Sequence, residues 1–252
     1  MRLTLVVTLA ALGLGSTGEI EGKKVKFVNG KLGIQALEFV PPGKEGPLPA
    51  VIVVHGDFGL SPWAQRQCSR LAQKGYHVLA LDLYRGELPK NIEEAHILGR
   101  GLEDDRVHKQ ISMAVDILAK NKEVRKDAIG ILGWDMGGGY ALDAALLDKR
   151  LKAAVSCYGR LTTDPKKLVA MEASLLCLIA GKDQGTNKDV VKQFKAALKK
   201  AGKDGTTTIH VYPNAHHGFM DPDSPYDDRG DAKTIADAWK RIDEHLAKAL
   251  NR

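Results

Sequence analysis

The chain has 252 residues, of which 44% are hydrophobic and 27% charged, which excludes a disordered, a collagen-like and a polytopic membrane protein. Its 37 Lys and Arg residues outnumber its 31 Asp and Glu residues only slightly, and the excess is dispersed, so we expect no nucleic-acid partner. Three cysteines exclude a disulfide-rich scaffold. A chain of this length can still form a single core, and one domain is the simplest prediction.

The N-terminal segment has the layout of a secretory signal. A short positive start at residues 1–2 precedes an uncharged stretch at 3–14, and small residues follow before the first acid, Glu19. The uncharged stretch is shorter than the roughly 20 residues that a membrane-spanning helix needs. We therefore expect residues 1–18 to be a signal peptide, the protein to be exported to the periplasm or the medium, and residues 19–252 to form the domain. The alternative is a buried N-terminal strand or helix in a cytoplasmic protein.

Apolar runs of strand length alternate with segments of helical periodicity along the rest of the chain. Asn29-Gly30 joins the first two runs, and this dipeptide is the strongest short hairpin signal. The predicted strands are residues 23–28, 32–40, 50–55, 76–83, 128–134, 151–158, 174–180 and 206–212. The predicted helices are residues 61–74, 92–101, 104–121, 136–147, 190–201 and 232–250. Strands separated by helices indicate an α/β fold with a mostly parallel sheet that has helices on both faces.

Chemistry in such a sheet belongs at the carboxyl ends of the strands. Gly133-Trp134-Asp135-Met136-Gly137 stands between a predicted strand and a predicted helix, and it has the form of a nucleophile elbow. The two glycines allow a tight turn, and the central residue, Asp135, would point out of the sheet on a strained backbone. A glycine-rich packing turn would give a similar pattern.

Two later strand ends carry an acid and a base. Asp183 follows the strand at 174–180, and two adjacent histidines, His216 and His217, follow the strand at 206–212. The order nucleophile, acid, base is that of the α/β-hydrolases. Taken singly, the acid could be a turn former and the histidine a surface or core residue, but three such residues in this order favour a catalytic site. We prefer His217 as the base and keep His216 as the alternative.

Five segments make the sequence similar to the dienelactone hydrolase family of α/β-hydrolases: AVIVVHGDFGL at 50–60, LDLYRG at 81–86, GWDMGGGYAL at 133–142, AGKD at 180–183 and YPNAHHGF at 212–219. The resemblance implies an α/β-hydrolase fold without a large cap domain. It also implies a catalytic triad of Asp135, Asp183 and His217. The backbone N–H groups of Asp57 and Met136 would form the oxyanion hole.

The sequence departs from the family pattern at three places. The nucleophile of the family is cysteine, whereas this chain has Asp135, and none of its cysteines falls at the elbow. The family also has a glutamate at the position of Gly56. Arg85 lies one place away from the arginine that holds the substrate carboxylate in the family, so it is either a substrate-binding residue or a solvated loop arginine.

An aspartate at the elbow changes the chemistry that the site can perform. A carboxylate is ionised at neutral pH without a base, but it is a weak nucleophile towards an ordinary ester, because the alkoxide is the poorer leaving group. Attack on a saturated carbon with a good leaving group is feasible, followed by water activated by His217 and Asp183. Haloalkane dehalogenases and epoxide hydrolases use an elbow aspartate in that way. Asp135 could also act as a base on water.

The leading hypothesis is a hydrolase of dienelactone hydrolase type that acts on a small ester- or lactone-like molecule. The alternatives are an Asp-nucleophile hydrolase of carbon–halogen or epoxide bonds and a non-catalytic ligand-binding protein on the same fold. No metal-ligand spacing is evident, and Gly137-Gly138-Gly139 lacks the lysine of a phosphate loop, so we expect no metal and no cofactor. The expected partner is a small-molecule substrate, and a monomer is the default.

Overall fold

A computed structural model describes residues 18–44, 46–221 and 230–250, together with the backbone of residues 4–7. The chain forms two compact units, Met1–Ile129 and Gly130–Arg252, and their boundary lies inside one long strand.

The first unit contains an antiparallel hairpin next to a pair of parallel strands. Its neighbouring strands follow the order β1-β2-β3-β5-β4, in which β4 and β5 are parallel and the other pairs are antiparallel. Strand β2 alternates between exposed and buried residues, as expected for a strand with one face in solvent, whereas β5 is buried throughout, as expected for a strand covered on both faces. The elements are β1 (Thr4–Val7), β2 (Lys23–Asn29), β3 (Leu32–Phe39), β4 (Leu48–Val54), α1 (Pro62–Gln73), β5 (His77–Leu81), α2 (Ile92–Arg100) and α3 (Asp104–Lys120).

The second unit is built on parallel strands. Strands β7, β8 and β9 pair in that order, in parallel, and helices α4 and α7 pack against β7. Parallel strands place their carboxyl ends at one edge, which is where the candidate site lies. The elements are β6 (Val124–Trp134, which begins in the first unit), α4 (Met136–Leu147), β7 (Leu151–Cys157), α5 (Pro165–Leu168), β8 (Ser174–Ala180), α6 (Lys188–Ala201), β9 (Thr207–Tyr212) and α7 (Ala232–Leu250).

The predicted fold class, an α/β fold with a mostly parallel sheet and flanking helices, is confirmed, but several predicted boundaries were wrong. Strand β6 begins at Val124 rather than at 128. The three residues after Val124 are polar and wholly or partly exposed, so the apolar run that predicts a strand starts only at 128. Helix α6 begins at Lys188, where the side chain of Asn187 accepts the N–H of Asp189 at 3.0 Å. The first turn of this helix is charged, so the apolar periodicity did not reveal where the helix starts. Strand β1 and helix α5 were not predicted.

The predicted signal peptide lies mostly outside the described residues. Within it, the structure describes Thr4–Val7, as a strand antiparallel to β2, and Gly18, so cleavage and export stay predictions. In the described part of the chain, the helices all lack the combination of length and apolarity that crossing a membrane requires.

Candidate active site

The turn after β6 presents Asp135 at the N-terminus of α4. Asp135 has φ 55° and ψ −122°, a left-handed conformation that residues other than glycine rarely adopt. Its N–H donates to the carbonyl of Cys157 at 2.9 Å, and its own carbonyl accepts from the N–H of Gly138 at 3.0 Å. The side chain makes no capping hydrogen bond to α4, although aspartate is a favoured cap residue. The backbone thus has the strained conformation expected of a nucleophile elbow.

Close backbone contacts explain the glycines of this turn. A Cβ on Gly133 would overlap the carbonyl group of Gly137, and a Cβ on Gly138 would lie 2.9 Å from the carbonyl oxygen of Cys157. Gly159, beyond the end of β7, packs equally closely on Gly138. Side chains at these positions would push the turn apart, so the glycine pattern has a packing role as well as a conformational one.

His217 joins two carboxylates. Its Nδ1 lies 2.7 Å from Oδ2 of Asp183, and its Nε2 lies 2.7 Å from Oδ1 of Asp135. The hydrogen bond to Asp183 is the one that the order of the strand ends predicted. It is therefore His217 that the structure joins to the acid, while His216 lines a cavity of about 240 Å³ beside Asp231.

Both carboxylate oxygens of Asp183 have hydrogen-bond partners. Its Oδ1 accepts the N–H groups of Gly185 at 2.7 Å and Thr186 at 3.2 Å, which leaves Oδ2 directed at His217. Burial by itself would raise the pKa of Asp183, but the hydrogen bond and charge of His217, with the two backbone N–H groups, hold that pKa below its ordinary value. Asp183 is therefore ionised over the whole range in which His217 titrates.

His217 is held in its charged form. Burial lowers its pKa, but the hydrogen bonds and charges of Asp135 and Asp183 outweigh burial and raise the pKa to about 10. At neutral pH the ring is an imidazolium that donates from both nitrogens. In this state His217 can donate a proton but cannot accept one.

An aromatic side chain that the sequence analysis missed packs on His217. Tyr158, directly after β7, has its ring 5.3 Å from the His217 ring at an interplanar angle of 67°. The only sequence signal was its position at the end of a predicted strand, 151–158, which is where functional residues of such sheets gather.

Asp57 lies in the first unit, in a tight turn after β4. The N–H of Gly59 donates to the carbonyl of Gly56 at 3.1 Å and closes the turn. His55 donates from Nδ1 to the Gly56 carbonyl at 2.7 Å and accepts the N–H of Leu83 at Nε2, 3.1 Å away. This tautomer of His55, another residue missed from the sequence, ties the turn to the segment after β5. The oxyanion roles of Asp57 and of Met136, the first residue of α4, stay predictions.

Arg85 also lies in the first unit, on the segment after β5. It is exposed and has φ 58°, so it too adopts the left-handed conformation. It lines a cavity of about 490 Å³, together with Lys24, Lys26 and Leu37. Its predicted role in substrate binding stays a prediction.

The cysteines cannot replace the aspartate at the elbow. Cys68, Cys157 and Cys177 are unbridged and fully buried, and burial raises the pKa of each thiol. Across the described ranges, no group of three or more His, Cys, Asp or Glu side chains is placed to hold a metal ion.

The Dienelactone hydrolase family model matches residues 34–250, a range that includes the elbow, the acid and the histidine. The chain belongs to the dienelactone hydrolase family. A protein of Methylorubrum extorquens assigned as a carboxymethylenebutenolidase is 30% identical over 218 residues, which cover 81% of this chain and 73% of that protein. A protein of Escherichia coli K12 with the same assignment is 32% identical over 217 residues, covering 80% and 78%.

A solved structure agrees with this membership. A Klebsiella pneumoniae protein assigned as a dienelactone hydrolase superposes with a TM-score of 0.80 at 27% identity, over 91% of this chain and 99% of that chain. The family and this neighbour confirm the predicted α/β-hydrolase fold and place the chain among the hydrolases. Any mechanism for this chain must work with an aspartate, Asp135, at the elbow.

Proposed function

We propose that this member of the dienelactone hydrolase family hydrolyses small lactones and esters whose leaving group is an enolate or a phenolate. The proposed site is Asp135, His217 and Asp183. The observation that carries the proposal is the position of the His217 ring, whose two nitrogens each lie 2.7 Å from a carboxylate oxygen, one of Asp135 and one of Asp183.

The leaving group decides whether a carboxylate can act as the nucleophile. An alkoxide is far more basic than a carboxylate, so the adduct of Asp135 with an alkyl ester would return to the starting ester. An enolate or phenolate is much less basic, and a proton from His217 makes it a better leaving group still. The substrate class therefore follows from the attacking atom.

In the first step one oxygen of Asp135 attacks the carbonyl carbon, and the bond from that carbon to the leaving oxygen breaks. The leaving oxygen takes the proton from Nε2 of His217. The products are an anhydride between Asp135 and the acyl group, the enol or phenol, and a neutral His217.

The second step uses the change of charge at Asp135. In the anhydride Asp135 has lost its negative charge, so one of the two groups that raise the pKa of His217 is gone. His217, still oriented by Asp183, accepts a proton from water while the oxygen adds to the anhydride. The anhydride bond breaks, the acid leaves, and the carboxylate and imidazolium are restored.

The assignments of relatives support a lactone substrate. Besides the two carboxymethylenebutenolidases, a protein of Bradyrhizobium that is 29% identical over 187 residues is assigned as a 2-oxo-3-(5-oxofuran-2-ylidene)propanoate lactonase. That alignment covers 69% of this chain and 74% of that protein.

A matched pair of lactones tests the proposal. The enol lactone α-angelica lactone and the saturated γ-valerolactone share a five-membered ring and a methyl group and differ in the leaving group. We expect the wild-type protein to open the enol lactone and to leave the saturated lactone unchanged. Asp135→Asn and His217→Gln should both lose this activity. No turnover of the enol lactone, or equal rates on both lactones, would contradict the proposal.

The identity of Asp135 also favours a second candidate, hydrolysis of carbon–halogen or epoxide bonds. Its carboxylate would attack a saturated carbon and form an alkyl ester, which water activated by His217 would then hydrolyse. His217→Gln lacks that base, so the alkyl ester should accumulate on Asp135 and add the mass of the alkyl group to its peptide. Mass spectrometry after incubation with a haloalkane or an epoxide distinguishes this candidate from the first.

We also propose that the chain is exported, with a mature N-terminus between Ser16 and Glu19. Cleavage would remove β1 and make β2 an outer strand, and β2 carries three lysines, Lys23, Lys24 and Lys26. Lysines on an outer strand discourage pairing with other chains. N-terminal sequencing of the protein from its own host tests this, and an intact residue 1 in the cytoplasm would refute it.

A further inference from the structure

Tyr158 has an unusual backbone conformation that its surroundings impose. Its φ of 42° lies in the left-handed region, which bulky residues rarely adopt. Its N–H donates to the carbonyl of Leu178 at 2.7 Å, and its neighbour Cys157 accepts the N–H of Asp135 at 2.9 Å. Strain of this kind persists where the structure over-determines a residue, and it is concentrated at functional sites.

The strained backbone places the Tyr158 ring against one side of the His217 ring. Tyr158 is 3% exposed, and besides the His217 ring it contacts the Phe219 ring at 5.4 Å and 63°. Phe219 is fully buried and contacts the ring of Tyr212 at 5.1 Å. A row of packed aromatic rings thus supports one side of the imidazole.

His217 needs such support because it lies on a loop. Strand β9 ends at Tyr212, and the described residues that follow, 213–221, form turns rather than a helix or a strand. Two of its contacts are hydrogen bonds to Asp135 and Asp183, and both are strongest while the ring is charged. The contact with Tyr158 does not depend on charge.

We propose that Tyr158 is a positioning residue, whose ring holds the imidazole of His217 between Asp135 and Asp183 while the charge of the site changes. This inference rests on the proposed function, in which His217 gives up a proton and takes one back. Tyr158 acts through His217 and not on the substrate.

Two substitutions separate the ring from the hydroxyl group. Tyr158→Phe keeps the ring, and we expect wild-type kcat, KM and His217 titration. Tyr158→Leu removes the ring and lets the imidazole rotate, so kcat on α-angelica lactone should fall by about tenfold to a hundredfold with KM unchanged. NMR of ¹⁵N-labelled histidine should show the pKa of His217 falling towards its ordinary value, since its hydrogen bonds weaken.

A matched control removes a buried tyrosine elsewhere in the same unit. Tyr140 is 6% exposed and its ring contacts Arg160, so Tyr140→Leu should change neither the pKa of His217 nor kcat. If Tyr158→Leu does not fold, Phe219→Leu removes the ring that supports Tyr158 and should shift both quantities in the same direction.

The outcomes decide between the proposals. A folded Tyr158→Leu protein with a wild-type pKa of His217 and a wild-type kcat would overturn the positioning role. Equal losses in Tyr158→Phe and Tyr158→Leu would overturn it as well, because the hydroxyl group would then be the active part. Absence of turnover in the wild type would refute the proposed function, whereas the NMR comparison would still decide whether Tyr158 positions His217.

Discussion

The elbow turn after β6 and the loop after β9 hold two side chains of the proposed site, Asp135 and His217, by different means. The elbow is fixed by its backbone: Asp135 is held at both its N–H and its carbonyl group, and Gly133 and Gly138 allow close packing. The loop has no regular structure around His217, whose position depends on Asp183, Asp135 and the Tyr158 ring. The elbow should therefore tolerate a new side chain on Asp135 but not new bulk beneath it, whereas the loop should be sensitive to the partners of His217.

The largest effect is expected from bulk in the elbow. In Gly133→Ala the added Cβ would overlap the carbonyl group of Gly137, so we expect a loss of about 4 kcal/mol or more in the free energy of unfolding. Urea unfolding followed by circular dichroism measures it. Gly205→Ala is the matched control, because a Cβ there meets nothing within 4 Å. Equal stability of the two variants would show that the elbow backbone is not tightly packed.

A similar loss, in activity rather than stability, is expected from Asp183→Asn. The amide oxygen can keep the hydrogen bonds from Gly185 and Thr186, but the amide nitrogen would donate to Nδ1 of His217 and force the proton onto Nε2. The ring then cannot accept a proton from water, so kcat/KM on α-angelica lactone should fall about a thousandfold. Asp189→Asn, an exposed change on α6, should leave it unchanged. If the Asp183→Asn protein kept its activity, Asp183 would not be part of the catalytic site.

A smaller effect is expected in the pH dependence of stability. The pKa of His217 is about 10 in the folded protein and about 6.5 when unfolded, so the charged ring stabilises the fold fully below pH 6.5. That stabilisation is lost as the pH rises towards 10. Between pH 7 and pH 10 the free energy of unfolding of the wild type should fall by about 1–3 kcal/mol more than that of His217→Gln. Urea titrations measure both proteins. If their free energies of unfolding fall equally with pH, the two carboxylates do not stabilise the charged form of His217.

The smallest effect, a gain, is expected from Asp135→Cys. Because the backbone positions the elbow, a thiolate would take the place of the carboxylate, and thiolates attack acyl carbons more readily. We expect kcat/KM on p-nitrophenyl acetate to rise about tenfold. The gain should be partial compared with the cysteine enzymes of the family, because Gly56 stands where they have a glutamate. Adding His217→Gln should abolish the gain. Equal or lower activity in a folded Asp135→Cys protein would mean that the attacking atom does not limit ester hydrolysis.

The sequence alone determined the features that local patterns encode. Alternating strands and helices predicted the fold class, and the glycines around Asp135 predicted the elbow turn. The order of Asp135, Asp183 and the histidine pair could be recognised because parallel strands end at one edge of a sheet. The polar residues 125–127 near the start of β6 hid the first part of that strand, because backbone pairing does not require apolar side chains.

Only the tertiary structure decided how these segments meet. Asp135 and His217 are 82 residues apart, and no local pattern distinguishes His217 from its neighbour His216 as the partner of Asp183. The Tyr158 ring and the His55 hydrogen bonds were missed for the same reason, since each depends on contacts between distant segments. The charge of His217 is likewise a tertiary property, because two carboxylates must be brought within hydrogen-bonding distance before they can raise its pKa.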